Sequence, residues 1–229
     1  MSGNFRNMND FEKILFDQKE VFVLENSINK TSYVKIDLSA NNYSIENLTD
    51  KPIEFEKYIE KYVAENNSKV AFGGYLEKRN LYKRSTIFEN LSDNRNIHLG
   101  IDLWIKAEAS VLAALDGEVF SVKDNIGIGN YGPTIILKHQ IDEYTFYTLY
   151  GHLSQKSVEN LVMGRFIKKG TKIATLGNYI ENGDYAPHLH FQIIKNIENS
   201  TGDYAGVCAE KDLDFYKKNC PDPNLLLKL

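Results

Sequence analysis

The sequence predicts a mainly β protein of the α+β class, an antiparallel sheet with short helical pieces before and after it. Three observations carry this reading. From Lys69 onwards, short apolar runs alternate with Gly, Asn and Asp, as strands closed by turns do. Tyr and Phe are abundant, 14 and 12 of the 229 residues, and aromatic side chains suit a pleated, half-buried surface. The runs also lack the helical stretches of about 10–15 residues that a βαβ series would place between them.

Residues 1–69 read as an accessory region. Asp10 to Phe16 predicts a short helix, and YVKIDL (33–38) alternates apolar and polar residues as a half-buried strand does. Pro52 suits the first turn of a second helix, because its fixed φ is already helical and its missing N–H costs nothing there. Ile53, Phe55, Tyr58, Ile59, Tyr62 and Val63 continue at roughly helical spacing until Asn66-Asn67. Residues 70–200 read as the main domain. Its strands are expected within VLAALDGEVFSV (111–122), PTIILKH (133–139), YTFYTLYGHL (144–153), KKGTKIATLG (168–177) and HLHFQII (188–194). Residues 201–229 form a tail in which AEKDLDFYKKNC (209–220) predicts one helix before Pro221 and Pro223.

The chain carries 27 Lys and Arg against 31 Asp and Glu, a formal charge of -4 without a dense basic cluster. Nucleic-acid binding needs concentrated positive charge, so that class of partner is excluded. No run approaches the roughly 20 apolar residues that cross a bilayer. The opening residues, MSGNFRNMNDFEKILFDQKE, contain no apolar segment behind a positive flank, so no signal peptide is read there. As written the chain reads as cytoplasmic, or as periplasmic or secreted if a leader has been removed. Cys208 and Cys220 belong to no C-x-x-C pair, so thiolate zinc ligation is not expected. Two buried thiols or one disulfide both fit them.

Four of the five histidines sit in patterned segments. In RNIHLGIDLWI (95–105), His98 and Asp102 are four residues apart, but Gly100 and the alternation of Ile101, Leu103 and Ile105 speak against a helix. Fully extended, four residues span roughly 13 Å, too far for two side chains to share a metal at bonds of about 2 Å. If they share one, the chain must bend between them, and Gly100 permits that. In PHLHF (187–191), His188 and His190 fall on one face of a strand and Leu189 and Phe191 on the other. His152 follows the aromatic strand YTFYTLY in YGHLS. His139, at the end of PTIILKH, reads as structural or exposed.

Taken in order, H-x-G-x-D, then G-H-L-S at a strand end, then H-L-H-F, resembles the lysostaphin-like (LytM-type) zinc endopeptidases from about Val70 to Ile194. VLAALDGEV and GRFIKKGTKIATLG resemble the family's segments between those motifs. The resemblance implies a β-sheet metallopeptidase core with a groove and one Zn(II) per chain. It implies His98, Asp102 and His190 as zinc ligands, with His152 and His188 as the catalytic histidines beside the open coordination position. Two imidazoles and one carboxylate are a catalytic rather than a closed structural donor set. One histidine can accept a proton and pass it to the leaving nitrogen, and the other can donate to the oxyanion. His188 is the expected base, since it shares a strand with His190.

The loops GNYGPT (129–134) and GNYIENGDYAP (177–187) are expected to wall the groove, with Tyr131, Asn178 and Tyr185 touching substrate. YIENGDYA is longer and bulkier than the Gly/Ser/Thr-rich loop common in the family, which implies a differently shaped groove. GGYLEKRNLYKRSTIFEN (73–90) lies outside the common motif and is expected to pack against the groove, as an occluding segment or as part of the substrate site. The expected partner is peptidoglycan, cut in its stem peptides or cross-bridges. The alternatives are an intracellular peptidase acting on another peptide, a non-catalytic binding module of the same fold, and a β-sheet carbohydrate binder.

Overall fold

A computed structural model describes residues 8–48, 50–80, 95–159 and 161–229. Helix α1 (Asp10–Asp17) is closed at its start by Asn9, whose side chain accepts from the Glu12 N–H while the Glu12 side chain bonds back to the Asn9 N–H. Its buried face is Phe11 and Leu15. Helix α2 (Pro52–Glu65) starts at the expected proline and buries Phe55 and Ile59. The chain leaves it through Asn67, which takes a positive φ of 50°.

Twelve strands follow in chain order: β1 (Tyr33–Lys35), β2 (Val70–Gly73), β3 (Ile97–His98), β4 (Ile101–Trp104), β5 (Ser110–Leu112), β6 (Gly117–Asn125), β7 (Gly132–Ile141), β8 (Tyr144–Gly151), β9 (Phe166–Ile167), β10 (Lys172–Thr175), β11 (His188–Ile194) and β12 (Val207–Cys208). Eight of them form one sheet in the order β1-β2-β4-β11-β8-β7-β6-β9, and β10-β5 and β12-β3 form two small ladders. The architecture is mainly β with a large antiparallel sheet, as the sequence predicts. One pair departs from the antiparallel expectation: β1 runs parallel to β2. The connection between them contains α2, and a helix is the usual crossover that parallel neighbours need.

Two of the runs contain a turn. VLAALDGEVFSV divides into β5, which pairs with β10, and β6, which pairs with β7. KKGTKIATLG turns at Gly170, φ 75°, between β9 and β10. The tail forms a short 3-10 turn (Glu210–Asp212) followed by helix α4 (Leu213–Asn219), with α3 (Gln155–Val158) before them and α5 (Asn224–Leu227) after. Both cysteines are free and buried.

The main core lies against one face of the large sheet. Phe11, Leu15, Val23 and Leu24 of the first 69 residues are buried in it together with Ile135, Leu137, Phe146, Leu189, Phe191 and Ile193. A second cluster joins Ile36, Leu38, Phe55 and Ile59 to Trp104 and Ala186, beside the histidine strand. Each fully buried side chain of this kind contributes about 1.5–3 kcal/mol of transfer free energy. The accessory region therefore helps fix the position of β4 and β11.

Candidate metal centre

β11 is the central strand of the site. Its inward-facing residues, Leu189, Phe191 and Ile193, lie in the main core, which leaves His188, His190 and Gln192 on the opposite face. Register then delivers the partners. His190 stands opposite Asp102 of β4 on one side and Gly151 of β8 on the other, while His188 stands opposite Trp104. The chain breaks its ladder between β3 and β4, so His98 swings round to Asp102. Gly100 sits in that break, and it is space rather than a left-handed φ that requires a glycine there. A Cβ at this position would stand 2.6 Å from Cε1 of His190 and 2.8 Å from the Phe191 carbonyl oxygen.

Among the described residues, His98, Asp102 and His190 form a buried group able to hold a metal ion. Nε2 of His98 is 2.9 Å from Nδ1 of His190 and 3.3 Å from Oδ1 of Asp102, and His190 Nδ1 is 3.2 Å from the same oxygen. Ligand bonds of 2.0–2.1 Å in a tetrahedron give edges of about 3.3 Å, so this triangle has the size that zinc needs.

The outer contacts decide the tautomers. Nδ1–H of His98 donates to the Gly74 carbonyl at 3.0 Å, which leaves Nε2 a lone pair. The Gln192 amide donates through Nε2 to the Ala205 carbonyl at 3.0 Å and to Cys220 Sγ at 3.3 Å, which turns Oε1 towards His190. His190 Nε2–H donates to that oxygen at 3.0 Å, so Nδ1 is a lone pair as well. Two imidazole lone pairs and a carboxylate oxygen thus converge, an arrangement that asks for a cation at its centre. The donor set fits zinc.

The two remaining histidines are held in the same manner. Nδ1–H of His152 donates to the Asn182 carbonyl at 2.7 Å, and Nδ1–H of His188 donates to the Ala186 carbonyl at 2.8 Å. Each keeps Nε2 as an acceptor, that of His188 lying 3.8 Å from Asp102 Oδ1. Their rings are 4.3 Å apart. Burial pushes His98 and His188 down to about 4, opposed in part by Asp102. Burial, with His188 and His190 nearby, holds His152 well below the usual imidazole value. Burial acts to raise Asp102, but His98, Arg79 and His188 outweigh it and keep the carboxyl well below its ordinary range. Three of the imidazoles are therefore neutral at pH 7, as ligands and proton acceptors must be.

A groove of about 780 Å³ opens over this centre, lined by all four histidines, Asp102, Tyr131 and Tyr185. The Tyr131 hydroxyl is 3.3 Å from His190 Nε2, and Tyr185 donates to the Gly129 carbonyl, tying the two walling loops together. Asn178 does not line the groove. It closes the turn that follows it, its side chain accepting from the Ile180 N–H and its carbonyl from the N–H groups of Glu181 and Asn182. His139 is buried away from the groove lining, with Nδ1–H on the Asp116 carbonyl and Nε2 facing the Thr148 hydroxyl. Of the 73–90 segment, residues 81–90 lie outside the described residues. Residues 74–79 reach the candidate metal centre itself, through Gly74 and Arg79.

The sequence reading did not include four participants. Gln192 and Trp104 had an available signal, each two residues beyond a site residue on the same strand face. Arg79 and Glu77 fall in the 73–90 segment expected to pack against the groove, but nothing in the sequence singles them out within it.

Residues 96–201 match the family model described as Peptidase family M23. No curated protein matches the chain. Among solved structures, a zinc-containing peptidase from Vibrio cholerae is 28% identical, with 44% of this chain and 28% of that chain covered at a TM-score of 0.36. The catalytic domain of the antimicrobial peptidase lysostaphin from Staphylococcus simulans is 26% identical over 66% of this chain and 94% of its own, at a TM-score of 0.40. The catalytic domain of the prophage-encoded M23 protein EnpA from Enterococcus faecalis is 23% identical over 48% and 80%, at 0.37.

Proposed function

With residues 96–201 a lysostaphin-like domain of peptidase family M23, we propose that this chain is a zinc-dependent endopeptidase that hydrolyses peptide bonds in peptidoglycan stem peptides or cross-bridges. The observation that carries the proposal is the convergence of two imidazole lone pairs and one carboxylate oxygen beneath a groove, with two further neutral imidazoles beside them. His98, Asp102 and His190 would hold one zinc ion. Zinc bound there supplies Lewis-acid polarisation of the scissile carbonyl and a nucleophile at neutral pH.

The chain's own residues do the rest. His188, fixed by the Ala186 carbonyl and sharing β11 with His190, accepts a proton at Nε2 and returns it to the leaving nitrogen. His152, fixed by the Asn182 carbonyl and likewise unprotonated at Nε2, lies across from it as a second proton acceptor beside the scissile bond. Tyr131 and Tyr185, on the groove wall, are the residues we assign to substrate contact.

The test is direct. Zinc-loaded protein is incubated with purified peptidoglycan and the released muropeptides are identified by mass spectrometry, with His190→Ala as control. New amine and carboxyl ends that the control lacks would name the bond cleaved. A zinc-bound enzyme that releases nothing would defeat the peptidoglycan assignment and direct the search to other peptides.

A further inference from the structure

Asp102 presents its two oxygens to different neighbours. Oδ1 faces the imidazoles of His98, His190 and His188, at 3.3, 3.2 and 3.8 Å. Oδ2 faces away from them, 2.5 Å from Nη1 of Arg79. The Arg79 side chain is 1% exposed, and a long cationic group is not taken out of water unless it is paired. Its other edge is paired too: Nε donates to Glu77 Oε2 at 2.6 Å, and Glu77 Oε1 accepts from the backbone N–H of Leu38 at 3.1 Å. The backbone holds the same segment in place, with Arg79 N–H on the Asn96 carbonyl and His98 N–H on the Glu77 carbonyl. Gly74 makes room for the guanidinium, since a Cβ there would stand 1.9 Å from Nη2.

We propose that Arg79 is a positioning residue of the metal centre: its guanidinium holds Oδ2 of Asp102 so that Oδ1 alone is offered to the ion. Arg79 lies outside the stretch that matches the family model, residues 96–201, and it is anchored through Glu77 to Leu38 of the accessory region. A carboxylate free to rotate offers either oxygen or both, and a second oxygen would occupy the coordination position that catalysis needs open. A planar fork that binds one oxygen while a second carboxylate grips its other edge removes that freedom, which a single ammonium cannot do. Outer partners of this kind are worth about 10- to 100-fold in metal affinity or activity. The inference rests on the zinc reading of the site.

Charge alone works in the opposite direction and so separates the explanations. Removing a cation beside a dication's ligand would by itself strengthen zinc binding, whereas loss of orientation weakens it. The experiment compares the full chain with Arg79→Met and Arg79→Lys by chelator competition for zinc and by the visible spectrum of the cobalt(II)-substituted protein, with circular dichroism as the folding check. For Arg79→Met we expect a zinc Kd raised about 10- to 100-fold and cobalt bands weakened towards a higher coordination number. Arg79→Lys, which keeps the charge without the fork, falls between this and the parent. Should Arg79→Met fail to fold, Glu77→Gln takes its place, with a smaller change in the same direction. Unchanged or tighter zinc binding with a parental cobalt spectrum would make Arg79 a purely structural ion pair and overturn the proposal. A parent chain that holds neither metal stoichiometrically would overturn the zinc reading itself, and this assignment with it.

Discussion

The indole of Trp104 lies flat against the imidazole of His188, with ring centroids 3.9 Å apart and planes at 21°. The two residues are register partners on β4 and β11, so the sheet itself sets the stack. Phe55 of α2 meets the indole edge-on at 5.3 Å. Replacing Trp104 by Phe keeps a ring beneath His188, and kcat should stay within a few-fold of the parent. Trp104→Leu removes the face and leaves a cavity, which should lower kcat and cost about 2–4 kcal/mol of stability. Paired kinetic and thermal-unfolding measurements on the two variants check this.

The three converging donors should be individually necessary for metal. His98→Ala, Asp102→Asn and His190→Ala are each expected to abolish stoichiometric zinc after loading and dialysis, measured as metal per chain. Asp102→Asn is the most informative of the three, because it keeps the shape and removes the charge. Near-parental zinc in that variant would show that the carboxylate is not a ligand.

Gln192 fixes the tautomer of His190 through Oε1, while its own amide is pinned by the Ala205 carbonyl. Gln192→Leu keeps comparable bulk and loses these bonds together with the one to Cys220 Sγ. We expect zinc affinity to fall about 10- to 100-fold, read by chelator competition, with the fold retained by circular dichroism.

His139 gives a pH prediction separate from the metal. Burial pushes its folded value down to about 4, against about 6.5 for an unfolded histidine. Between those values the unfolded chain binds a proton that the folded chain does not, so stability rises with pH across the window and is level above it. This one group accounts for up to about 3 kcal/mol lost on acidification from pH 6.5 to 4. The difference in unfolding free energy between the parent and His139→Gln should change by that order across the window. A pH-independent difference would refute the assignment.

The site was legible where chemistry and strand period coincide. His188 and His190 share a face because strand side chains alternate, and Asp102 needed only the bend at Gly100 to join them. The helices at Asp10 and Pro52 were legible from their opening residues. The parallel placement of β1 was not, because apolar alternation in YVKIDL reports burial without direction. The change of partner strand within VLAALDGEVFSV was not legible either, although Asp116-Gly117 marks the turn where it falls. Asn178 was read as a groove residue, but its side chain serves the backbone of its own turn, a local use that asparagine shares with binding loops. The 73–90 segment was expected at the groove, but Arg79 was not singled out within it, because long-range contacts leave no trace in spacing.

β1 has one further consequence. Its three residues pair with Val70–Phe72 and so cover what would otherwise be the rim of the large sheet. A truncated chain beginning at Val70 would present β2 as a bare row of N–H and C=O groups on a largely buried, apolar strand. Such rims template pairing with other molecules. Excising the matched domain for study would therefore favour aggregation, so the protein is better handled with its first 69 residues in place.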